Sequence, residues 1–194
     1  LGGGSGNAGV TLNALNEMAD HPLSFQDLHE IAASLGSDVP FFLQNRPALA
    51  EGRGEKVVSL QPFPALQGKG LFLVKPGFGI STAWAYQSLQ RFPELLNGQS
   101  GKGKLLVEAL NGSQLSSTSE LFFNSLEGPV LEKYPLLKLF QITLRKLGAE
   151  VTLMSGSGST TFAIFPSPRE AEKSAEAFIT ELGNDHWLKV VALS

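Results

Sequence analysis

The sequence predicts an α+β protein, in which a sheet carries helices on one face. Apolar residues recur at helical spacing in several segments of the chain. Short apolar runs of strand length lie between these segments, and glycine or proline stands at most of the junctions. Together these patterns favour one large or two small domains in a chain of 194 residues.

The first third of the chain predicts two helices, a strand and a hairpin. A helical stripe covers residues 7–19, and Ser24 is a good N-cap for a second helix that ends at Gly36. Residues 39–43 form an apolar run of strand length, and the segment 48–60 is typical of a hairpin turning at Gly-Arg-Gly. The side chains expected to face inward are Ala8, Leu12, Leu15 and Ala19 in the first helix and Leu28, Ile31, Ala32 and Leu35 in the second.

The rest of the chain mixes strands and helices. Two prolines and two glycines in residues 61–70 indicate a domain boundary, which we place between residues 66 and 67. The segment 90–105 is polar and glycine-rich, so we expect it to be an exposed linker. The expected strands are 71–75, 149–153, 160–165 and 189–193, and the expected helices are 82–89, 105–110, 136–147 and 168–182.

Composition narrows the classes of function. The formal net charge of −3 gives no long-range attraction to nucleic acid or to anionic membranes. The absence of cysteine excludes disulfides and thiolate metal sites. No apolar run approaches the roughly 20 residues that span a bilayer. His21, His29 and His186 lack the spacing of metal ligands, so we expect them at the surface.

The glycine-rich start of the chain is the first candidate for chemistry. Glycines followed by a helix suit a polyphosphate, because backbone N–H groups and the positive helix end face the same point. The hydroxyl of Ser5 could bind a phosphate oxygen or a metal ion. The run lacks the lysine of a Walker loop, and a flexible linker is the alternative interpretation. The residues concerned are Leu1, Gly2, Gly3, Gly4, Ser5 and Gly6.

Three other positions carry weaker signals. Asp38 stands between a helix end and an apolar run, where it is either a carboxylate at a cleft or a turn former. Tyr86 follows Thr82 by four residues on one helix face, although an aromatic there usually packs in the core. The loop of Gly156, Ser157 and Gly158 is a second glycine-rich cradle or a simple hairpin turn.

The order of these motifs resembles the GHMP kinases. The resemblance rests on residues 1–8, on Leu-Gly-Ser-Asp-Val-Pro at 35–40 and on Glu-Gly-Arg-Gly-Glu at 51–55. It extends through residues 75–82, 124–127 and 154–159, so that it covers nearly the whole chain. Within the superfamily the motifs are most similar to the kinases that phosphorylate the 2-hydroxyl of 4-diphosphocytidyl-2-C-methyl-D-erythritol, a substrate of non-mevalonate isoprenoid synthesis.

The resemblance implies a fold, two cofactors and a set of roles. It implies a ribosomal-protein-S5-like N-terminal domain, of which 1–66 would be the remainder, and a ferredoxin-like C-terminal domain at 67–194, with the active site in the cleft between them. It implies ATP and Mg²⁺, with Leu1 to Gly6 around the phosphates, and Ser5 stays the candidate metal ligand. It assigns Asp38 to the substrate hydroxyl, Thr82 and Tyr86 to the cytidine end of the substrate, and residues 156–158 to a loop that supports the transfer site.

The resemblance also implies the protein's surroundings. We expect a cytoplasmic protein of a bacterium, or one of the plastid stroma, that is a monomer or weak homodimer and binds no nucleic acid or membrane. The chain starts without methionine, and its glycine run has no strand before it, so we expect a natural N-terminal segment with a catalytic lysine to precede Leu1. Residues 1–194 alone should then be inactive. A non-catalytic nucleotide-binding remnant and a GHMP kinase for another alcohol are the alternatives.

Two residues depart from the family pattern. Gly6 stands where the family usually has a second serine, which removes a hydroxyl near the phosphates. Ser125 stands where an aspartate is usual, which removes a charge whose role the sequence does not reveal.

Overall fold

The computed structural model describes residues 2–52, 54–96, 101–112 and 115–193. The chain divides into two compact units, Leu1–Pro62 and Phe63–Ser194. Each unit has its own buried apolar cluster and is described by itself below. Among the described residues, no helix is both long and apolar enough to cross a bilayer.

The first unit contains two helices, a 3₁₀ turn and a hairpin. A capping box begins α2: the Ser24 hydroxyl accepts from the Asp27 N–H, and the Asp27 carboxylate accepts from the Ser24 N–H. The Ser24 hydroxyl also donates to that carboxylate, and this bond lowers the pKa of Asp27. The elements are α1 (Gly3–Met18), α2 (Phe25–Leu35), the 3₁₀ turn (Pro40–Leu43), β1 (Ala48–Glu51) and β2 (Lys56–Ser59), with β1 and β2 antiparallel.

The core of this unit is smaller than the helical patterns suggested. Leu28, Ala32, Val39 and Leu43 are buried, with Ala8 and Leu12 packed against them. The prediction that every apolar residue of the two stripes faces inward is wrong, because α1 and α2 each bury only a narrow strip. Side chains left largely exposed are Leu15 (57%), Leu35 (60%) and Ile31 (37%).

Residues 39–43 form a 3₁₀ turn, so the predicted strand is wrong. Pro40 occupies the first helical position, where its fixed φ and missing N–H suit a helix start. The Phe42 N–H donates to the Val39 carbonyl at 3.0 Å within the same turn. A short apolar run is equally compatible with a strand or a buried turn, and here the proline decides between them.

The second unit is built around a four-stranded antiparallel sheet with strand order β4-β5-β3-β6. The sequence predicted all four strands and the four longer helices to within a few residues. Helix α5 was missed, because its sequence begins Glu-Gly-Pro and shows no helical period. The elements are β3 (Gly70–Lys75), α3 (Thr82–Leu89), α4 (Lys102–Leu110), α5 (Glu127–Lys133), α6 (Pro135–Lys146), β4 (Val151–Met154), β5 (Thr161–Phe165), α7 (Pro168–Leu182) and β6 (Trp187–Ala192), with 3₁₀ turns at Pro64–Leu66, Pro93–Leu95 and Ser116–Leu121.

Both faces of this sheet are covered, which corrects the prediction of helices on one face. Phe72 and Val74 of β3 pack into the main cluster with side chains of α6 and α7. Leu71 packs on the opposite face against a second cluster that contains Leu110 of α4. Alternate residues of one strand point to opposite faces, so a strand with apolar residues throughout needs cover on both.

Two expectations about exposed residues also need correction. Leu95, in the predicted linker, packs against the main cluster. His186 is half-buried, and its ring lies 4.8 Å from that of Phe140 in an edge-on contact. His29 is likewise half-buried, whereas His21 is exposed, as predicted.

Candidate functional site

The first unit presents the N-terminus of a 16-residue helix, which no side chain of the described residues caps. Helix α1 already includes Gly3 and Gly4, so the predicted glycine loop is largely the first helical turn. Gly2 caps it in a left-handed conformation with φ of 59°, and the Gly6 N–H donates to the Gly2 carbonyl at 2.7 Å. The first three amides of an α-helix have no partner inside the helix, and they carry the positive end of its dipole. Leu1 lies outside the described residues.

The glycines at and near the start of α1 fall into two groups. Gly2, Gly6 and Gly9 lie against Phe42: a Cβ added at Gly9 would be 2.7 Å from the Phe42 Cβ and 3.0 Å from its carbonyl. Among the described residues, no heavy atom beyond the chain neighbours and the nearby helix backbone lies within 4 Å of a Cβ added at Gly3 or Gly4. Packing against Phe42 therefore explains glycine at positions 2 and 9, whereas a Cβ at position 6 would lie at an ordinary contact distance of 3.5 Å from the Phe42 ring. Packing also does not explain the two glycines that leave the helix amides open.

Ser5 lies within the same first turn. Its side chain is half-buried, and the described residues show no hydrogen bond from its hydroxyl. No group of three or more histidine, aspartate or glutamate residues in the described part of the chain could hold a metal ion. A metal here would therefore need ligands from a bound phosphate besides the Ser5 hydroxyl.

Asp38 is exposed beside the hairpin turn of the same unit. A Cβ added at Gly54, whose φ is 113°, would lie 3.4 Å from the Asp38 Oδ1 and 3.3 Å from the Ser37 carbonyl. In the described ranges no hydrogen bond joins the Asp38 carboxylate to its own turn, as a turn-forming aspartate would make. The adjacent Val39 is buried, so the backbone that carries this carboxylate is anchored. Arg53 of the hairpin lies outside the described residues.

In the second unit, the structure brings two of the predicted residues together. The Thr82 Oγ1 and Ser157 Oγ atoms are 2.9 Å apart, although 75 residues separate them in the chain. Thr82 is the first residue of α3, whose N-cap Ser81 accepts from the Trp84 N–H. The loop between β4 and β5 thus touches the start of α3.

Tyr86 points away from the core, with 61% of its surface exposed. This exposure is at odds with the interpretation that it packs in the core. Its helix is anchored instead by Ala85 and Leu89, which are buried. Tyr86 therefore shares an exposed helix face with Thr82 and is free to contact a ligand.

The loop of residues 155–158 is held by close packing and by hydrogen bonds. Gly158 has φ of 84°, and a Cβ there would lie 2.7 Å from the Met154 sulfur. The Gly158 N–H donates to the Ser155 carbonyl at 3.0 Å, and the buried Ser159 hydroxyl donates to the Phe78 carbonyl at 2.6 Å. A larger residue at 158 would be both strained and obstructed.

Two residues that the sequence did not single out as site residues hold the same loop. The Asn124 side-chain amide donates to the carbonyls of Met154 and Gly156, at 2.8 Å each. The Glu127 Oε1 accepts from the Met154 N–H at 2.7 Å and from the Gln141 side chain at 2.5 Å. Burial raises the pKa of the Glu127 carboxyl, and these two hydrogen bonds and the charge of Arg145 oppose the shift. The sequence did contain the Asn-Ser-Leu-Glu motif at residues 124–127. The spacing of its residues does not show that two of them bind the loop.

Comparison with family models matches both units. The model described as GHMP kinases N terminal domain matches residues 1–46, and the model described as GHMP kinases C terminal matches residues 94–185. Together these ranges cover well over half of the chain.

Individual relatives agree with the family models. The chain is 38% identical over 192 residues to the 4-diphosphocytidyl-2-C-methyl-D-erythritol kinase of Thermodesulfovibrio yellowstonii, covering 98% of this chain and 65% of that one. It is 39% identical over 178 residues to the kinase of the same name from Pelotomaculum thermopropionicum, covering 92% and 60%. The chain therefore spans about three fifths to two thirds of the length of these relatives.

Solved structures show the same fold. The crystal structure of a 4-(cytidine 5'-diphospho)-2C-methyl-D-erythritol kinase superposes with a TM-score of 0.76 at 32% identity, covering all of this chain and 66% of that one. A homoserine kinase from Cytophaga hutchinsonii superposes with a TM-score of 0.72 at 20% identity, covering 91% and 60%, which shows the fold alone. With two matching domain models, similar sequences and the same fold, this chain belongs to the GHMP kinases.

Proposed function

We propose that this chain carries the phosphate-binding and alcohol-binding parts of a kinase. The kinase transfers the γ-phosphoryl group of ATP to the 2-hydroxyl of 4-diphosphocytidyl-2-C-methyl-D-erythritol, a reaction of non-mevalonate isoprenoid synthesis. The observation that carries the proposal is the uncapped start of α1, where glycine leaves the first helical amides open. The names of the relatives support the choice of alcohol.

The start of α1 supplies the phosphate site in this proposal. The N–H groups of Gly3, Gly4 and Ser5 donate to phosphate oxygens, and the helix dipole favours the negative charge. Glycine at positions 3 and 4 lets the oxygens approach the backbone. Phosphoryl transfer depends mainly on such positioning and charge stabilisation. A Mg²⁺ ion bound by the phosphates and the Ser5 hydroxyl would neutralise further charge.

Asp38 acts on the alcohol. Its exposed carboxylate, which accepts no hydrogen bond from the described residues of its own turn, accepts the proton of the substrate hydroxyl or holds that hydroxyl in line. The hydroxyl oxygen forms a bond to the γ-phosphorus while the bond from that phosphorus to the bridging oxygen breaks, and ADP leaves. We retain residues 1–66 as the part of the ATP-binding domain present here.

The second unit selects the alcohol. The Tyr86 ring stacks on the cytosine base, and Thr82 borders the same end of the substrate. The loop of residues 156–158 supports the transfer site through the Thr82–Ser157 contact. We assign residues 67–194 to this domain, and we propose the bacterial cytoplasm or plastid stroma as its compartment and a monomer or weak homodimer as its state.

An ADP-release assay tests the proposal. The protein as its gene encodes it is mixed with ATP, Mg²⁺ and the cytidylyl alcohol, and the product is identified by phosphorus NMR. We expect ADP release that depends on the cytidylyl alcohol, with a phosphomonoester at its 2-position. Homoserine and mevalonate serve as comparison alcohols. Release with either of these but not with the cytidylyl alcohol would contradict the proposed substrate, and no release with any of them would contradict the kinase assignment.

A further inference from the structure

Asn124 ties together three backbone groups from two parts of the second unit. Its Nδ2 atom donates to the carbonyls of Met154 and Gly156, at 2.8 Å each. Its Oδ1 atom accepts from the Leu126 N–H at 3.0 Å. All three contacts need the amide in one orientation, so the side chain is held as a bridge between the start of α5 and the loop of residues 155–158.

Glu127 holds the other side of the same backbone. Its Oε1 atom accepts from the Met154 N–H at 2.7 Å, while Asn124 takes the carbonyl of that residue. Gln141 of α6 donates to the same oxygen of Glu127. Both polar groups of Met154 are thus bound by one motif, at the point where β4 ends and the loop begins.

The loop also contacts the start of α3, so fixing the loop restricts the position of that helix start. Ser157 lies at its tip, and its hydroxyl is 2.9 Å from that of Thr82. The Ser159 hydroxyl donates to the Phe78 carbonyl, four residues before Thr82. A shift of the loop would therefore break or strain its contacts with the α3 start.

We propose that Asn124 and Glu127 are positioning residues for the alcohol substrate: they fix the loop of residues 155–158 so that Ser157 holds Thr82 in place. The proposal rests on the proposed function for its kinetic consequence. We call the hydrogen bonds of Asn124 and Glu127 to the loop backbone the latch, and the distances alone support it. Ser125 lies between them in the sequence, and no hydrogen bond of its hydroxyl is found in the described ranges, so it offers a matched control.

The test compares Asn124→Asp with Ser125→Ala. Aspartate keeps the acceptor for the Leu126 N–H but places an oxygen where Nδ2 donated to two carbonyls. Amide hydrogen exchange of the loop peptide, residues 155–160, should become about tenfold faster in Asn124→Asp and stay unchanged in Ser125→Ala. Equal exchange in the two variants would overturn the latch.

Kinetics of the same variants then test the role in substrate positioning. In Asn124→Asp we expect KM for the cytidylyl alcohol to rise about tenfold while KM for ATP changes less than about twofold. A variant that is merely less folded would lose active sites without changing either KM. Equal rises in both KM values would overturn the positioning role.

Ser157→Ala covers the case in which Asn124→Asp folds poorly. It removes only the hydroxyl at the loop tip, and we expect the same selective rise in KM for the alcohol. If Asn124 acts through Ser157, the two changes together should raise that KM less than the product of their separate effects. Fully multiplicative effects would overturn the route through Ser157. If the unaltered protein showed no turnover, the proposed function would be refuted. Hydrogen exchange of residues 155–160 would still test the latch.

Discussion

Gly4→Ala should make the protein more stable and its ATP binding weaker. No side chain of the described residues lies within 4 Å of a Cβ added at Gly4, and the residue is already helical, so alanine fits the folded chain without strain. Replacing a compatible glycine by alanine stabilises a protein by about 0.4–1 kcal/mol, mainly because the unfolded chain loses freedom. For a chain of this size we expect a rise in Tm of about 1–4 °C.

The loss of ATP affinity follows from the same open space. A methyl group at position 4 would occupy the approach of a phosphate to the Gly3, Gly4 and Ser5 amides. Losing one hydrogen bond to a charged group costs about 1.5–3 kcal/mol, which corresponds to a rise in Kd of about 10- to 150-fold. Differential scanning fluorimetry measures the Tm, and isothermal titration with ATP measures the Kd.

Gly9→Ala provides the contrast on the same helix. Its added Cβ would lie 2.7 Å from the Phe42 Cβ and 3.0 Å from backbone atoms of that residue, so we expect a lower Tm. Overpacking of this kind typically costs about 1–3 kcal/mol. If Gly4→Ala raised the Tm and left the Kd for ATP unchanged, the amides at the start of α1 would not be the phosphate site.

Three further predictions concern single side chains. Asp38→Asn should lower kcat by about 10²–10⁴-fold with little change in ATP affinity. Asp20→Asn, at another exposed aspartate of the same unit, is the control and should retain activity. A near-normal kcat in Asp38→Asn would mean that Asp38 only forms the turn. Tyr86→Ala should weaken binding of the cytidylyl alcohol by about 1–3 kcal/mol without lowering the Tm. An equally large loss of binding free energy in Gln87→Ala would argue against base stacking by Tyr86. Because burial raises the pKa of Glu127 in the folded state, its contribution to stability is present at low pH and is lost as pH rises through that folded pKa. The stability of Glu127→Gln relative to the unaltered protein, measured by urea unfolding, should therefore improve from about pH 4 to pH 7, and a flat or falling difference would contradict the shift.

Local chemistry made many elements predictable from the sequence. Ser24 caps α2 through groups three residues apart, and such bonds depend on little beyond the neighbouring chain. Helix α7 has the predicted bounds, because Pro168 occupies its first position and Gly183 follows its last. The hairpin of β1 and β2 likewise follows from a glycine-containing turn between two short apolar runs.

The family assignment also came from the sequence, because it depends on motifs and their order. The glycine run, the segment with Asp38 and the loop of residues 155–158 are recognisable one by one, although each alone is a weak signal.

Only tertiary structure decided how the motifs are held. The turn at Pro40–Leu43 places Phe42 against the glycines of α1, a contact that spacing within the run does not reveal. Asn124 and Glu127 bind backbone groups about 30 residues away, and no spacing rule for neighbouring residues reveals such a contact. Residues 75 positions apart likewise form the Thr82–Ser157 contact. Local patterns report bonds between near neighbours, whereas these contacts exist only once the sheet of the second unit has brought its loops together.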